Sequence, residues 1–194
     1  SSNSPLGCNP TNNHYFTENS PYNPYLGYGN CKHDIEIFLK SKIKEKFFCP
    51  IVILRAPWFY GKFQPYRQKL FFEMIKKGTF PLIGNGENKR SMVYLDNLVH
   101  AIFLVSENIY ANNKIFWISD KEPYTMTFIL NTIKEVFLED FKILCKEPKF
   151  KFFSITSDIA YFIDIITQSI GLYNQKIHVL SEMNKNIVGS IHKA

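Results

Sequence analysis

The stretch NPYLGYGNCKHDIEIFLK, Asn23 to Lys40, decides how the chain is read. Tyr28 and Lys32 stand four residues apart at its centre. Ile35, Phe38, Leu39 and Ile43 then recur at spacings of three and four, which predicts a helix from Tyr28 to about Lys46. On a helix, a spacing of four puts two side chains on one face, close enough to touch. A lysine ammonium beside a phenol favours the phenolate, so the tyrosine can exchange a proton with a carbinol or carbonyl oxygen. The ammonium keeps donors for a sugar hydroxyl. The spacing alone is a weak signal, because Tyr110 and Lys114 repeat it in loop-like surroundings.

Outward from this helix the chain alternates. Ser1 to Pro24, rich in Asn, Pro, Ser and Thr, reads as loop and turns. Ile51 to Leu54 is a continuous apolar, β-branched run, the pattern of a strand buried on both faces of a parallel sheet. QPYRQKLFFEMIKKG predicts a helix stopped at Gly78. Short strands are expected around the Gly84-Asn85-Gly86 turn. A helix over DNLVHAIFLVSEN follows, with Asp96 as N-cap. KIFWIS reads as a strand, PYTMTFILNTIKEVFLED and Asp158 to Leu172 as helices, and the closing GSIHKA as a helical run. Strands alternating with amphipathic helices define an α/β fold.

Composition sets the bounds. A chain of 194 residues can bury one real core. Its net charge of +6 is spread over scattered lysines, with no basic stripe interleaved with aromatics, so no nucleic-acid partner is expected. Cys8, Cys31, Cys49 and Cys145 are widely spaced and the five His do not group with them, so no metal site is expected and a reducing, cytoplasmic setting is. The apolar segment Ile159 to Tyr173 is interrupted by Asp164, Gln168 and Ser169, too short and polar to span a bilayer, and no membrane partner is expected. The chain opens on SSNSPLG without Met, and the expectation is that both ends are cut from a longer protein.

Three segments in order, SS…G…TENSP…NPYLGYGNCK…E, VILRAPWFYG and PLIGNGENKRSMVYLDNLVHAI, resemble the extended short-chain dehydrogenases/reductases, the NAD-dependent epimerase/dehydratase family. The resemblance runs from Ser1 to about Val105. It implies part of a Rossmann-like doubly wound parallel sheet with a smaller irregular C-terminal substrate lobe. It implies Ser2, Tyr28 and Lys32 as catalytic residues, with Tyr28 the acid/base and Lys32 also on the cofactor ribose. Ala56, Pro57 and Trp58 would line the nicotinamide. Arg90 would meet a substrate diphosphate, and Trp58, Gln64 and Arg67 would line the substrate pocket. Trp58 departs from the small or amide side chain common at its position.

The family's Gly-rich pyrophosphate turn has no counterpart: Gly27-Tyr28-Gly29 and Gly84-Asn85-Gly86 both lack the third glycine and the preceding strand. The chain therefore reads as a C-terminal portion: 1–62 the end of the dinucleotide-binding domain, and 63–194 mainly the substrate lobe, with about 91–120 returning to the Rossmann core. The resemblance implies NAD or NADP, a nucleotide-linked sugar and a possible homodimer. Asn3 and Ser4 stand where dehydratases usually carry Asp-Glu, which favours an epimerase or oxidoreductase. Two alternatives stay open: a reductase of a steroid-like or flavonol-like alcohol, and a member that kept the fold without turnover.

Overall fold

The computed structural model describes residues 1–10, 14–149 and 151–194. In chain order the elements are Leu26–Lys44 (α1), Ile53–Arg55 (β1), Trp58–Tyr60 (β2), Tyr66–Lys76 (α2), Leu82–Ile83 (β3), Lys89–Arg90 (β4), Met92–Tyr94 (β5), Leu95–Glu107 (α3), Ile115–Trp117 (β6), Tyr124–Thr125 (β7), Met126–Glu139 (α4), Lys151–Phe152 (β8), Ile155–Ser169 (α5) and Gln175–Glu182 (α6). The chain divides into two units. The first holds Ser1–Gly61, Arg90–Pro123 and Asn186–Ala194; the second holds Lys62–Lys89 and Tyr124–Lys185.

Parallel pairing organises the first unit. β1 runs beside β6, with Ile53, Leu54 and Arg55 opposite Ile115, Phe116 and Trp117. β2 runs beside β5, with Trp58, Phe59 and Tyr60 opposite Met92, Val93 and Tyr94. Parallel neighbours require crossover connections, which is the α/β architecture the alternating pattern predicts. Pro57, which has no N–H for a ladder, separates β1 from β2. In the core of this unit Leu6, Phe16 and fully buried Trp117 pack together, with the Phe16 and Trp117 rings stacked at 6.2 Å.

The last residues are not helical. Phe16 donates from its N–H to the Val188 carbonyl at 2.9 Å, Ser190 to Phe16 at 2.7 Å, and Ser91 to Ile187 at 2.8 Å. The Asn9 amide bonds both the carbonyl and the N–H of Val188. This corrects the helical reading of GSIHKA: its backbone groups are taken by Phe16 and Ser91, and extended pairing wins over local periodicity. Gly189 lies flat on Trp117, where a Cβ would come within 2.3 Å of the indole.

Asp96 is corrected as well. β5 runs directly into α3, so Tyr94 occupies the N-cap position and Asp96 falls in the first turn, with no side-chain cap. Its carboxylate there still favours the helix dipole. A hydrogen bond to Asp96 pushes the Tyr94 phenol above its ordinary pKa.

In the second unit β3 pairs in parallel with β8, Leu82 opposite Lys151 and Ile83 opposite Phe152. α2 packs with α4 and α5 with α6. Gly78, at φ 66°, ends the α2 region as the sequence predicts. α6, which the sequence reading does not include, starts at Asn174, whose side chain accepts from the N–H groups of Lys176 and Ile177. Among the described residues no helix is long and apolar enough to cross a membrane, and no group of three or more His, Cys, Asp or Glu could hold a metal ion.

Candidate active site

The site grows from α1. Its first turn presents Tyr28, which is 57% exposed, and Lys32 follows one turn on. The Lys32 ammonium lies over the Tyr28 ring, 5.5 Å from its centroid. The helix spacing thus brings cation and phenol together on one face.

Two glycines let this helix start against the loop that carries Ser2. Gly7 has φ 69°, and a Cβ on it would meet the Asn23 carbonyl oxygen at 2.5 Å. A Cβ on Gly29 points at the Ser4 carbonyl at 3.1 Å. Asn23 donates to the Pro5 carbonyl at 3.1 Å, closing the same junction. Ser2 is half-buried; its Oγ donates to Ser4 Oγ at 3.0 Å and accepts from the Ser4 N–H at 3.2 Å.

What fixes α1 is a buried ion pair. Glu36, eight residues beyond Tyr28 in α1, is fully buried and faces fully buried Arg55 at the end of β1. Arg55 donates from Nε to Glu36 Oε1 at 3.1 Å and from Nη2 to Oε2 at 2.7 Å, the two-pronged match of guanidinium to carboxylate. Ser1 Oγ donates to Oε1 at 2.6 Å and the Tyr22 hydroxyl to Oε2 at 2.8 Å. The remaining Arg55 amine reaches the Thr17 and Glu18 carbonyls of the TENSP turn. The Glu18 carboxylate in turn accepts from the Trp117 N–H at 3.0 Å. Helix, loop and strand meet at one carboxylate.

Burial opposes the charge on Glu36, but the hydrogen bonds from Arg55, Ser1 and Tyr22 together outweigh it and hold the carboxyl below its ordinary pKa. Burial first, then the bond to Glu36, pushes the Tyr22 phenol up to about 12. Sequence reasoning assigned no role to Glu36 or Arg55. The signal was present: Tyr28, Lys32 and Glu36 repeat at intervals of four, and a run of aliphatic residues ends on an arginine.

The other expected residues are placed as follows. The Ala56 N–H donates to the Ser1 carbonyl at 3.4 Å, tying the end of β1 to the Ser1–Ser2 segment. Pro57 is buried and Trp58 half-buried in β2. Arg90 is buried, and its backbone bridges to Ile187. Gln64 belongs to the second unit; among the described residues both polar atoms of its amide are buried without a hydrogen-bond partner. Arg67 lies on α2, with its side chain outside the described residues.

Tyr28 offers its hydroxyl at an exposed helix position beside the Lys32 ammonium. The glycines of the Gly84–Gly86 turn do not form a phosphate cradle: a Cβ on Gly84 would meet Ser154 Oγ at 2.6 Å, and one on Gly86 would meet Thr127 Oγ1 at 2.3 Å.

Parallel strand pairs with helical crossovers thus carry Tyr28 and Lys32 on one helix face. Residues 1–119 match the model of the NAD dependent epimerase/dehydratase family. The chain belongs to that family. It is 48% identical over its whole length to the uncharacterized protein y4nL of Sinorhizobium fredii, covering 54% of it. It is 26% identical over 125 residues to the N-acetyl-alpha-D-glucosaminyl-diphospho-ditrans,octacis-undecaprenol 4-epimerase of Escherichia coli O157:H7, matching 64% of this chain and 38% of that one. The UDP-glucose 4-epimerase of Thermotoga maritima, solved with UDP-glucose, superposes with a TM-score of 0.60 at 25% identity, over 78% of this chain and 52% of that one. The chain spans about half the length of these proteins, or less.

Proposed function

We propose that this chain supplies the proton-transfer machinery of an NAD-dependent epimerase acting on a nucleotide-linked sugar. The Lys32 ammonium over the exposed Tyr28 ring carries the reading. NAD supplies the two-electron acceptor and donor. Tyr28 takes the proton from the sugar hydroxyl as the carbinol is oxidised, and returns it when the carbonyl is reduced from the other face. Lys32, whose ammonium lies over the Tyr28 ring, hydrogen-bonds the ribose. Ser2 hydrogen-bonds the reacting oxygen, and Ala56, Pro57 and Trp58 wall the nicotinamide from water. Arg90 takes the diphosphate charge. Asn3 and Ser4, in place of a second acid pair, favour epimerisation over dehydration.

The test is product analysis. The protein carrying this chain, with NAD and UDP-glucose or UDP-N-acetylglucosamine, is expected to give the C4 epimers. Arg90→Ala is expected to lose most UDP-sugar affinity in calorimetry. A 4,6-dehydrated product, or UDP-sugar binding absent in the wild type, contradicts the reading.

A further inference from the structure

α5 is built inside out. Its buried positions are Ser157, Ala160 and Asp164, two polar residues and a methyl group. Ser157 Oγ donates to the Leu180 carbonyl of α6, and Asp164 accepts from Gln168 at 2.9 Å and meets His178 Nδ1 at 2.8 Å. The outward stripe, Ile155, Ile159, Phe162, Ile163 and Ile166, repeats at three and four residues and is exposed throughout, with Phe162 at 65% and Ile166 at 61%. Phe152 and Phe153 lead into it, Phe153 at 85%, and exposed Ile170, Leu172 and Tyr173 continue past its end. Isolated apolar residues on a surface are ordinary, but a continuous helix stripe extended at both ends marks an interaction site.

Charge indicates what covers it. Lys149 and Lys151 stand exposed before the stripe and Lys176 after it. The only acids between them, Asp158 and Asp164, are engaged: Asp158 pairs with Lys185, and Asp164 is buried against His178. The exposed stretch is therefore aliphatic and aromatic at its centre, aromatic at its ends and cationic at its rims, and its one part-exposed acid, Asp158, is paired with Lys185. A protein partner is usually met by a polar rim of hydrogen bonds. Here the rims offer long, flexible cations, which suit a surface that is apolar within and anionic above.

We propose that α5, with Phe152, Phe153 and Tyr173, lies on an anionic lipid surface, its apolar stripe in the acyl boundary and Lys149, Lys151 and Lys176 among the headgroups. Such a helix lies in the interface and does not span the bilayer. This goes beyond the catalytic reading and does not rest on it.

The test is flotation of the protein carrying this chain with vesicles of phosphatidylglycerol and phosphatidylcholine, compared with phosphatidylcholine alone. Wild type is expected to float with the anionic vesicles, and less so as salt rises. The double variant Phe162→Ser/Ile166→Ser is expected to lose at least about tenfold in partitioning, from the apolar area removed. Circular dichroism checks its fold, and Phe153→Ser, outside the helix, replaces it if it melts. Wild type left in the soluble fraction, or variants that float like wild type, overturn the proposal. So does sedimentation that finds a dimer broken by the same variants with no vesicle binding, which assigns the stripe to a second copy of the chain.

Discussion

Two helices, α1 and α5, each bury a carboxylate, and each turns its chemistry outward. Glu36 in α1 is held by a permanently charged guanidinium and two hydroxyls; Asp164 in α5 is held by an imidazole and an amide. A guanidinium presents its donors in a planar fork that matches a carboxylate in two places, whereas an imidazole meets it through one nitrogen. In both helices the inner face is polar or small, so the outer face need not serve the fold. On α1 that outer face carries the Tyr28–Lys32 pair, and on α5 an apolar stripe. The difference lies in how firmly each helix is pinned: four side-chain bonds and a charge pair against two bonds.

Breaking the pins measures that difference. The largest loss is expected for Glu36→Gln, which leaves Arg55 buried without its counter-charge: about 3–5 kcal/mol of unfolding free energy in a chemical melt. Combining it with Arg55→Met is expected to lose less than the two single variants summed, because the second change removes the stranded charge. Equal and additive effects would mean that the pair is not coupled.

Asp164→Asn is expected to lose less, about 1–3 kcal/mol, since an imidazole can be neutral and still accept or donate one bond. A loss as large as that of Glu36→Gln would remove the distinction between the two anchors.

Smaller still is Tyr22→Phe, which deletes one hydrogen bond to Glu36 and is expected to lose about 1 kcal/mol. Its pH signature is specific. The Tyr22 pKa is raised in the folded state, so its contribution is fully present below about pH 10 and is lost as pH rises toward about 12. Glu36 has the opposite sign: its folded pKa is lowered, so its contribution is present above the ordinary carboxylate range and is lost as pH falls through the lowered value. Spectroscopic titration of phenolate in wild type and Tyr22→Phe checks the alkaline limb, and acid melts of Glu36→Gln check the other.

These anchors also explain how far the sequence could be read. The β-branched run before Arg55, the KIFWIS strand and the Gly-Asn-Gly turn announce themselves, because strands and tight turns are marked by local residue type. The helices other than α6 are equally visible, but their facing is not. Periodicity assigns Ile35 and Phe38 to a core face, yet both are exposed while Gly29 and Glu36 are buried. Hydrophobic spacing assumes that a helix buries its apolar side, and a helix pinned by a buried ion pair violates the assumption. GSIHKA misleads for a related reason: its conformation is set by Phe16 and Ser91, far away in sequence. The Tyr28–Lys32 pair was legible because its geometry depends only on helix spacing, whereas the partners of Glu36 are separated from it by up to 35 residues.

The central claim is that Tyr28 moves a proton from a face that the fold does not need. Tyr28→Phe in the protein carrying this chain tests both parts in one preparation. The account predicts kcat for UDP-sugar epimerisation lower by about 10²–10⁴, with KM and melting temperature close to wild type. Normal turnover by the Phe variant, or a loss of rate that tracks a loss of folded protein, would contradict it.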